Sequence, residues 1–256
     1  ADGTHEIRLL SLDENGAVNV TNPYASAGTV ITSRLPYTGD IDGDNKEETI
    51  STSTDAQGLT VLNVESSGST AEAATGIKEV SSIRLFDLDG DGVREIYIDG
   101  KDANADTITC VAFYSPDESQ PLHLALFDSQ SYAQGSIKEF ADSKLILDTE
   151  MNILGTYKVK NVYALADKSF SKASDDIVFD NNMTYVTTSK SITLSNGSLL
   201  ATGTKLRFTS TDGSSVINFV TDGGFTGSIP IASSGSGWTI SGQPDTSYFT
   251  SLPYKN

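Results

Sequence analysis

Two short segments of this chain carry carboxylates at alternate positions. The first reads Asp40-Ile41-Asp42-Gly43-Asp44-Asn45-Lys46-Glu47-Glu48 and the second Asp87-Leu88-Asp89-Gly90-Asp91-Gly92-Val93-Arg94-Glu95. Both follow the spacing D-x-D-x-D-x-x-x-E. Alternate side chains of a tightly curled loop can point at one centre, and Ca2+ takes about six to eight oxygen ligands at ~2.3–2.6 Å. In the second loop Asp87, Asp89 and Asp91 are expected to point inward, with the carbonyl of Val93 as a backbone ligand and Glu95 closing the site. In the first loop the same roles fall to Asp40, Asp42, Asp44, the carbonyl of Lys46 and Glu48. Gly92 permits the left-handed turn that the curl needs. Asn45 stands at that place in the first loop and tolerates positive φ better than most residues. Carboxylates this close repel one another unless a cation joins them, so two Ca2+ sites are expected. The competing reading is two solvated acidic turns. Magnesium fits less well, because it prefers fewer protein ligands and stricter geometry.

The loops need elements to hold them. After the second, Ile96 and Ile98 alternate with Tyr97 and Asp99; after the first, Ile50 leads into a Thr/Ser run that reaches Leu59-Thr60-Val61-Leu62. Both read as strands. An EF-hand needs a bidentate Glu at position twelve between two helices; that position holds Ser51 in one loop and Ile98 in the other. The first aspartates of the loops lie 47 residues apart, the mark of a repeated supersecondary unit. A third copy is expected around Phe140–Leu147, without the acidic residues. The pattern D-x-D-G-D, then an acidic residue four positions after the third Asp, then a strand, resembles the calcium loop of FG-GAP or VCBS-type repeats, the blades of integrin-like β-propellers. The chain departs from that pattern at Asn45 and in closing both loops with Glu rather than Asp. The resemblance implies calcium that braces a blade, in a bacterial surface or carbohydrate-associated protein. Residues 1–166 hold fewer repeats than most closed propellers need. The expected architecture is a four-bladed propeller with degenerate ends or, preferred here, an open propeller-derived assembly of sheets.

Composition bounds the rest. The chain has 256 residues, 37% of them apolar, and a formal net charge of −17. Short strands and turn residues dominate, so the fold class is all-β. The charge argues against nucleic acid and anionic membranes as partners. Acidity is uneven: residues 1–165 carry 27 Asp and Glu against 11 Lys and Arg, the remainder 7 against 6. Two domains are therefore expected, 1–166 and 167–256, with Asp167–Asp176 as a polar linker. Short helices are expected near Thr70–Ala74 and Ser136–Ser143, and a tight hairpin turn at Asn15-Gly16. In the second domain, strands are expected at Thr184–Thr188, Ser191–Leu194, Lys205–Thr209, Val216–Val220 and Phe225–Ile231. Thr202-Gly203-Thr204-Lys205-Leu206 and Gly224-Phe225-Thr226-Gly227 resemble turns of a bacterial SH3-like domain, which implies a small β-barrel and cell-wall peptidoglycan as an alternative ligand. The Asn and Arg signature of that family's first strand is missing. Trp238, Tyr248, Phe249 and Tyr254 can form a stacking platform for sugars or simply pack the C-terminal segment.

A single cysteine, Cys110, excludes an intrachain disulfide and reads as a buried structural thiol. No apolar run is long enough to span a membrane as a helix. The chain starts Ala1-Asp2 without Met, so an export signal or anchor is expected in a missing upstream segment. His5 and His123 lack zinc-protease spacing, and neither a nucleophile elbow nor a phosphate loop occurs. The expected function is a monomeric, calcium-binding binding or scaffold protein, secreted or in the cell envelope. Its ligand is expected to be a surface glycan, a cell-wall component or a protein. A glycosidase-like enzyme with a carboxylate pair assembled only in three dimensions remains the catalytic alternative.

Overall fold

The computed structural model describes residues 9–12, 18–21, 28–174, 176–180, 185–235 and 237–254. Strand accounts for 56% and helix for 3%, so the chain is all-β. It divides into two compact units, Ala1–Leu147 with Tyr163–Ser171, and Asp148–Val162 with Lys172–Asn256. The units thus interleave in sequence, whereas composition placed one boundary at 166/167.

The first unit opens on a hairpin of β1 (Leu9–Leu12) and β2 (Val18–Thr21), with Leu9 opposite Thr21. The Asn15-Gly16 turn lies outside the described residues. After β3 (Thr29–Val30) come two antiparallel four-stranded meanders. One runs β4 (Tyr37–Gly39), β5 (Glu48–Thr54), β6 (Thr60–Ser66) and β7 (Ser69–Ala74). The other runs β8 (Glu79–Phe86), β9 (Glu95–Lys101), β10 (Thr107–Tyr114) and β11 (Leu122–Leu124), with β3 on the outer edge of β8. Each acidic loop occupies the same place in its meander, the connection from the first strand to the second. The Glu that closes each loop is the first residue of the next strand.

Four further strands complete this part: β12 (Leu126–Phe127), β13 (Ala133–Gln134), β14 (Ser136–Ala141) and the start of β15 (Lys144–Asn152). With β16 (Thr156–Ala166) and β17 (Ser169–Lys172), β14 and β15 form a third succession of hydrogen-bonded strands. It covers the segment Phe140–Leu147. Its first connection is the tight turn Asp142–Ser143, both residues at positive φ, which leaves no room for a nine-residue loop.

The second meander is the centre of the first unit because both its faces are covered. Ile96, Ile98, Cys110 and Ala112 pack into one core with Ile50, Leu62 and Val64 from the first meander. Tyr97, Val111 and Phe113 pack into a second core with Phe140, Leu145 and Phe170. Cys110 is buried and its thiol donates to the Thr75 carbonyl. Asp99 is buried as well; it accepts from Thr109 Oγ1 at 2.7 Å, from the Ile137 N–H at 3.1 Å and from Ser82 Oγ at 3.1 Å.

The second unit takes the later part of β15 and the earlier part of β16. It adds β18 (Ile177–Phe179), β19 (Val186–Thr187), β20 (Ile192–Thr193), β21 (Leu199–Leu200), β22 (Lys205–Thr211), β23 (Val216–Thr221), β24 (Thr226–Pro230), β25 (Ala232–Ser234), β26 (Gly237–Ile240) and β27 (Gln243–Pro244). β16, β18, β22, β23 and β24 pair in that order, all antiparallel. Tyr157, Phe179, Phe208, Ile217 and Phe219 fill the core. Among the described residues none of the sheets closes, so the sheets are open there, where a small barrel was expected.

Three local expectations are corrected. Thr70–Ala74 lies in strand β7, not a helix, because each of its residues pairs with β6 from Glu65 to Val61. Ser136–Ser143 is strand β14 and its turn; Ile137 and Phe140 are buried there. The intrinsic helix preference of such short segments is overridden by pairing. The expected linker contains β17, whose Phe170 is buried in the second core; its serines lie at partly exposed and exposed positions, which is why the segment reads as polar.

Gly100 lies where β9 crosses the segment 77–79. An added Cβ would stand 2.4 Å from both the Glu79 carbonyl oxygen and Ile77 Cγ2. Gly100→Ala is expected to destabilise the first unit by about 1–3 kcal/mol, the usual range for overpacking. Gly235→Ala, whose Cβ meets nothing within 4 Å, should leave the melt unchanged. Denaturant titration of the two variants checks this.

Candidate metal centre

The two acidic loops are held by the same hydrogen bonds at the same positions. In the first, Asp40 Oδ1 accepts from the Gly43 N–H at 2.8 Å and Oδ2 from the Asn45 N–H at 3.1 Å. In the second, Asp87 accepts from Gly90 at 2.7 Å and from Gly92 at 3.0 Å. The third residue of each loop accepts from the fifth: Asp42 from Asp44 at 3.1 Å, Asp89 from Asp91 at 3.4 Å. The fifth accepts from the seventh: Asp44 from Lys46 at 2.7 Å, Asp91 from Val93 at 2.8 Å. The closing Glu accepts from the N–H of the second residue: Glu48 from Ile41 at 3.0 Å, Glu95 from Leu88 at 2.9 Å. Such bonds curl the backbone around its own carboxylates. The curl needs left-handed residues, and Gly43, Asn45, Gly90 and Gly92 all take positive φ.

This geometry brings one carboxylate oxygen each from Asp87, Asp89, Asp91 and Glu95 within 4.8 Å of one another, and likewise from Asp40, Asp42 and Glu48. Two oxygens bound to one Ca2+ can be no further apart than twice the metal–oxygen distance, about 4.6–5.2 Å. Both groups meet that limit. The donors are all hard oxygens, which suit calcium, magnesium or manganese rather than softer metals. Both clusters could hold a metal ion.

The loops differ at one residue. In the second, all four expected carboxylates converge. In the first, Asp44 is outside the converging group; Lys46 Nζ lies 2.6 Å from its Oδ2. That hydrogen bond, with the charge of the ammonium, holds the Asp44 carboxyl below its ordinary value and Lys46 above its own. Lys46 and Val93, expected to offer carbonyls, occupy the seventh positions, where their N–H groups face inward to the fifth-position carboxylates.

Several supporting residues escaped the sequence reading. The second position of each loop is an apolar anchor: Ile41 and Leu88 are both buried. That equivalence was visible on aligning the loops. The closing glutamates are buried too, Glu48 at 0% and Glu95 at 2% exposure. Glu95 also accepts from the Tyr97 hydroxyl at 3.0 Å, and Glu48 from Ser66 Oγ at 3.3 Å. The loops meet each other through Arg94, whose N–H donates to the Ile41 carbonyl at 2.7 Å and whose guanidinium donates to the Asp40 carbonyl. A Cβ on Gly43 would sit 3.2 Å from the Gly92 carbonyl oxygen. Arg94, a residue of the second loop, thus meets the backbone of the first.

Of the four aromatic residues expected to face a sugar, Phe249 is buried, Trp238 and Tyr248 are partly buried and Tyr254 is 40% exposed. Phe249 is 4% exposed and meets Phe208 edge-on. Trp238 and Tyr248 pack against the same core, and the Trp238 indole donates to the Asn152 carbonyl at 2.8 Å. Tyr254 donates to Asp245. Burial takes the Phe249 ring out of any such platform.

No family model matches this chain, and no curated protein or solved structure matches it either.

Asp89→Ala is expected to weaken cation binding at the second loop at least about tenfold, since it removes one of four converging charges. Glu72→Ala, exposed on β7, is the neutral comparison; Asp99 is unsuitable because its loss would empty a buried hydrogen-bond network. Lys46→Ala frees Asp44 and should tighten the first loop roughly twofold to fivefold, the scale of an exposed ion pair. Calorimetric titration with CaCl2 separates these effects.

The Glu95 carboxyl is pushed up to about 7, first by burial and then by the charges of Asp89 and Asp87. A carboxyl raised in the folded state favours folding most below its unfolded value of 4.5, and that contribution fades as pH rises through about 7. In chelator, the first unit should therefore lose stability between about pH 5 and about pH 8. A cation favours the ionised form and should flatten that slope. Urea melts at both pH values, with calcium and with chelator, give the four midpoints needed.

Proposed function

We propose that this chain is a calcium-stabilised binding or scaffold protein of the cell exterior, with one structural calcium in each acidic loop. The observation that carries this reading is the repetition of five hydrogen bonds at equivalent positions in two loops 47 residues apart. One such curl can arise from local turn preference. Two, each closed by a buried Glu at the start of a strand, favour a common ligand. Calcium is preferred over magnesium because three or four carboxylates already crowd each centre, whereas magnesium retains most of its water. The repeated meander with its loop between first and second strands supports an open, propeller-derived assembly of the FG-GAP or VCBS type. Extracellular calcium concentrations suit sites of modest affinity, which supports secretion or display at the envelope. A surface glycan is the favoured ligand class, and the chain's role is binding rather than catalysis.

Calcium that binds only the folded chain stabilises it by RT ln(1 + [Ca]/Kd). With Kd of about 10⁻⁴ M and ~2 mM calcium, two sites contribute roughly 3.5 kcal/mol. For a unit of this size, that raises the melting temperature by about 7–14 °C. Scanning calorimetry with calcium and with chelator, at matched ionic strength, should show the first unit's transition move by this amount and the second unit's stay in place. A first transition indifferent to calcium would reduce the loops to solvated turns.

A further inference from the structure

A groove of about 680 Å³ lies beside the first acidic loop, walled by that loop, by the β6–β7 hairpin and by the segment that follows β10. All of its walls belong to the first unit. Its volume is in the range of small-ligand sites, roughly 300–1,000 Å³. Tyr114 is part of the lining. Its ring packs in the core and the residue is only 4% exposed, yet its hydroxyl has no hydrogen-bond partner among the described residues. The hydroxyl oxygen reaches solvent at the groove, where a ligand group can take the place of water as its partner.

The chemistry of the walls names the class of ligand. Asp44 is already neutralised by Lys46, and Asp42 belongs to the carboxylates that converge on the first loop's centre. Asp117 is thus the one acidic group of the lining not committed in this way. What remains is largely hydroxyl: Ser67, Ser69 and Thr70, beside Tyr114, whereas Ser66 donates to Glu48 and Ser115 accepts from Lys168 Nζ at 2.8 Å. Hydroxyls both donate and accept, which matches a partner whose own groups do the same. Pro116 and Pro121 add apolar ring faces suited to sugar C–H groups. The residual negative charge opposes acidic glycans.

We propose that this groove binds a neutral, hydroxyl-rich oligosaccharide, an assignment that rests on the glycan-binding reading above and gives it a location. The groove is joined to the first loop through Ser66, which donates to Glu48, and through Asp42, which serves both. The oligosaccharide therefore lies against the loop that would hold the cation, with Tyr114 in the lining.

Isothermal titration of the full chain in calcium tests this with cellohexaose, xylohexaose and mannohexaose as neutral probes. Hexagalacturonate and a lysine-rich peptide serve as charged comparisons. At least one neutral probe is expected to bind, and hexagalacturonate is not. Tyr114→Phe, which removes only the hydroxyl, should weaken that binding roughly threefold to tenfold, the value of one hydrogen bond. Ser69→Trp, at an exposed position, should abolish it by filling the groove while the melt stays intact. The assignment is overturned if no neutral probe binds, if the peptide or hexagalacturonate binds instead, or if a folded Ser69→Trp chain binds undiminished. Calcium titration of the same samples keeps the two readings apart. Calcium uptake without oligosaccharide binding removes the groove alone, whereas oligosaccharide binding by a chain that takes up no calcium removes the calcium reading alone.

Discussion

Burying a carboxylate at a strand junction is the constraint around which the first unit is arranged. Glu48 and Glu95 each begin a strand whose next residues enter a core, so each carboxylate is drawn out of water with its backbone. An ionised carboxylate in such a place is costly unless donors or a cation meet it. The loop supplies the N–H of its second residue, and a neighbouring hydroxyl supplies another donor, Ser66 in one case and Tyr97 in the other. The remaining aspartates of the loop, Asp44 of the first excepted, then close over the same point. Each added carboxylate raises the repulsion and makes the centre a better seat for a divalent ion.

The core explains why the loops hold their shape. Ile41 and Leu88 pin the second loop position to buried surface, and the closing Glu pins the ninth. Between these points the chain has only a few residues in which to turn, and backbone N–H groups fill the carboxylate lone pairs as it does so. β9 and β10 carry this arrangement because they are buried on both faces, with one core made of aliphatic residues from two meanders and the other rich in aromatic rings. Arg94 then ties the second loop to the backbone of the first. That contact joins the backbones of the two loops within one unit.

The second unit follows a different logic. It has near-balanced charge and an aromatic core in which Tyr157, Phe179 and Phe208 meet edge-on or tilted. Its terminal aromatics reinforce that core: Phe249 joins it, and Trp238 packs on it while bonding to the backbone of Asn152. Of the residues that looked available for stacking sugars, Phe249 and Trp238 are spent on folding, and the groove lies instead in the acidic unit.

The sequence by itself determined what depends on local spacing. Alternating carboxylates, the turn residues between them and the strand that follows each loop all sit within a dozen residues, so the loops, the all-β class and the buried thiol at Cys110 were legible. The uneven acidity of the chain was legible as well, since composition needs no fold. Only the tertiary structure decided what depends on partners far along the chain. The pairing of Thr70–Ala74 and Ser136–Ala141 turned weakly helical segments into strands, and Phe170 drew a serine-rich stretch into a sheet. The capture of Asp44 by Lys46 removed one carboxylate from the first centre. The meeting of the loops at Arg94 joins backbone more than fifty residues apart. No spacing rule reports such contacts, because they are selected by which faces remain to be buried once the strands have paired.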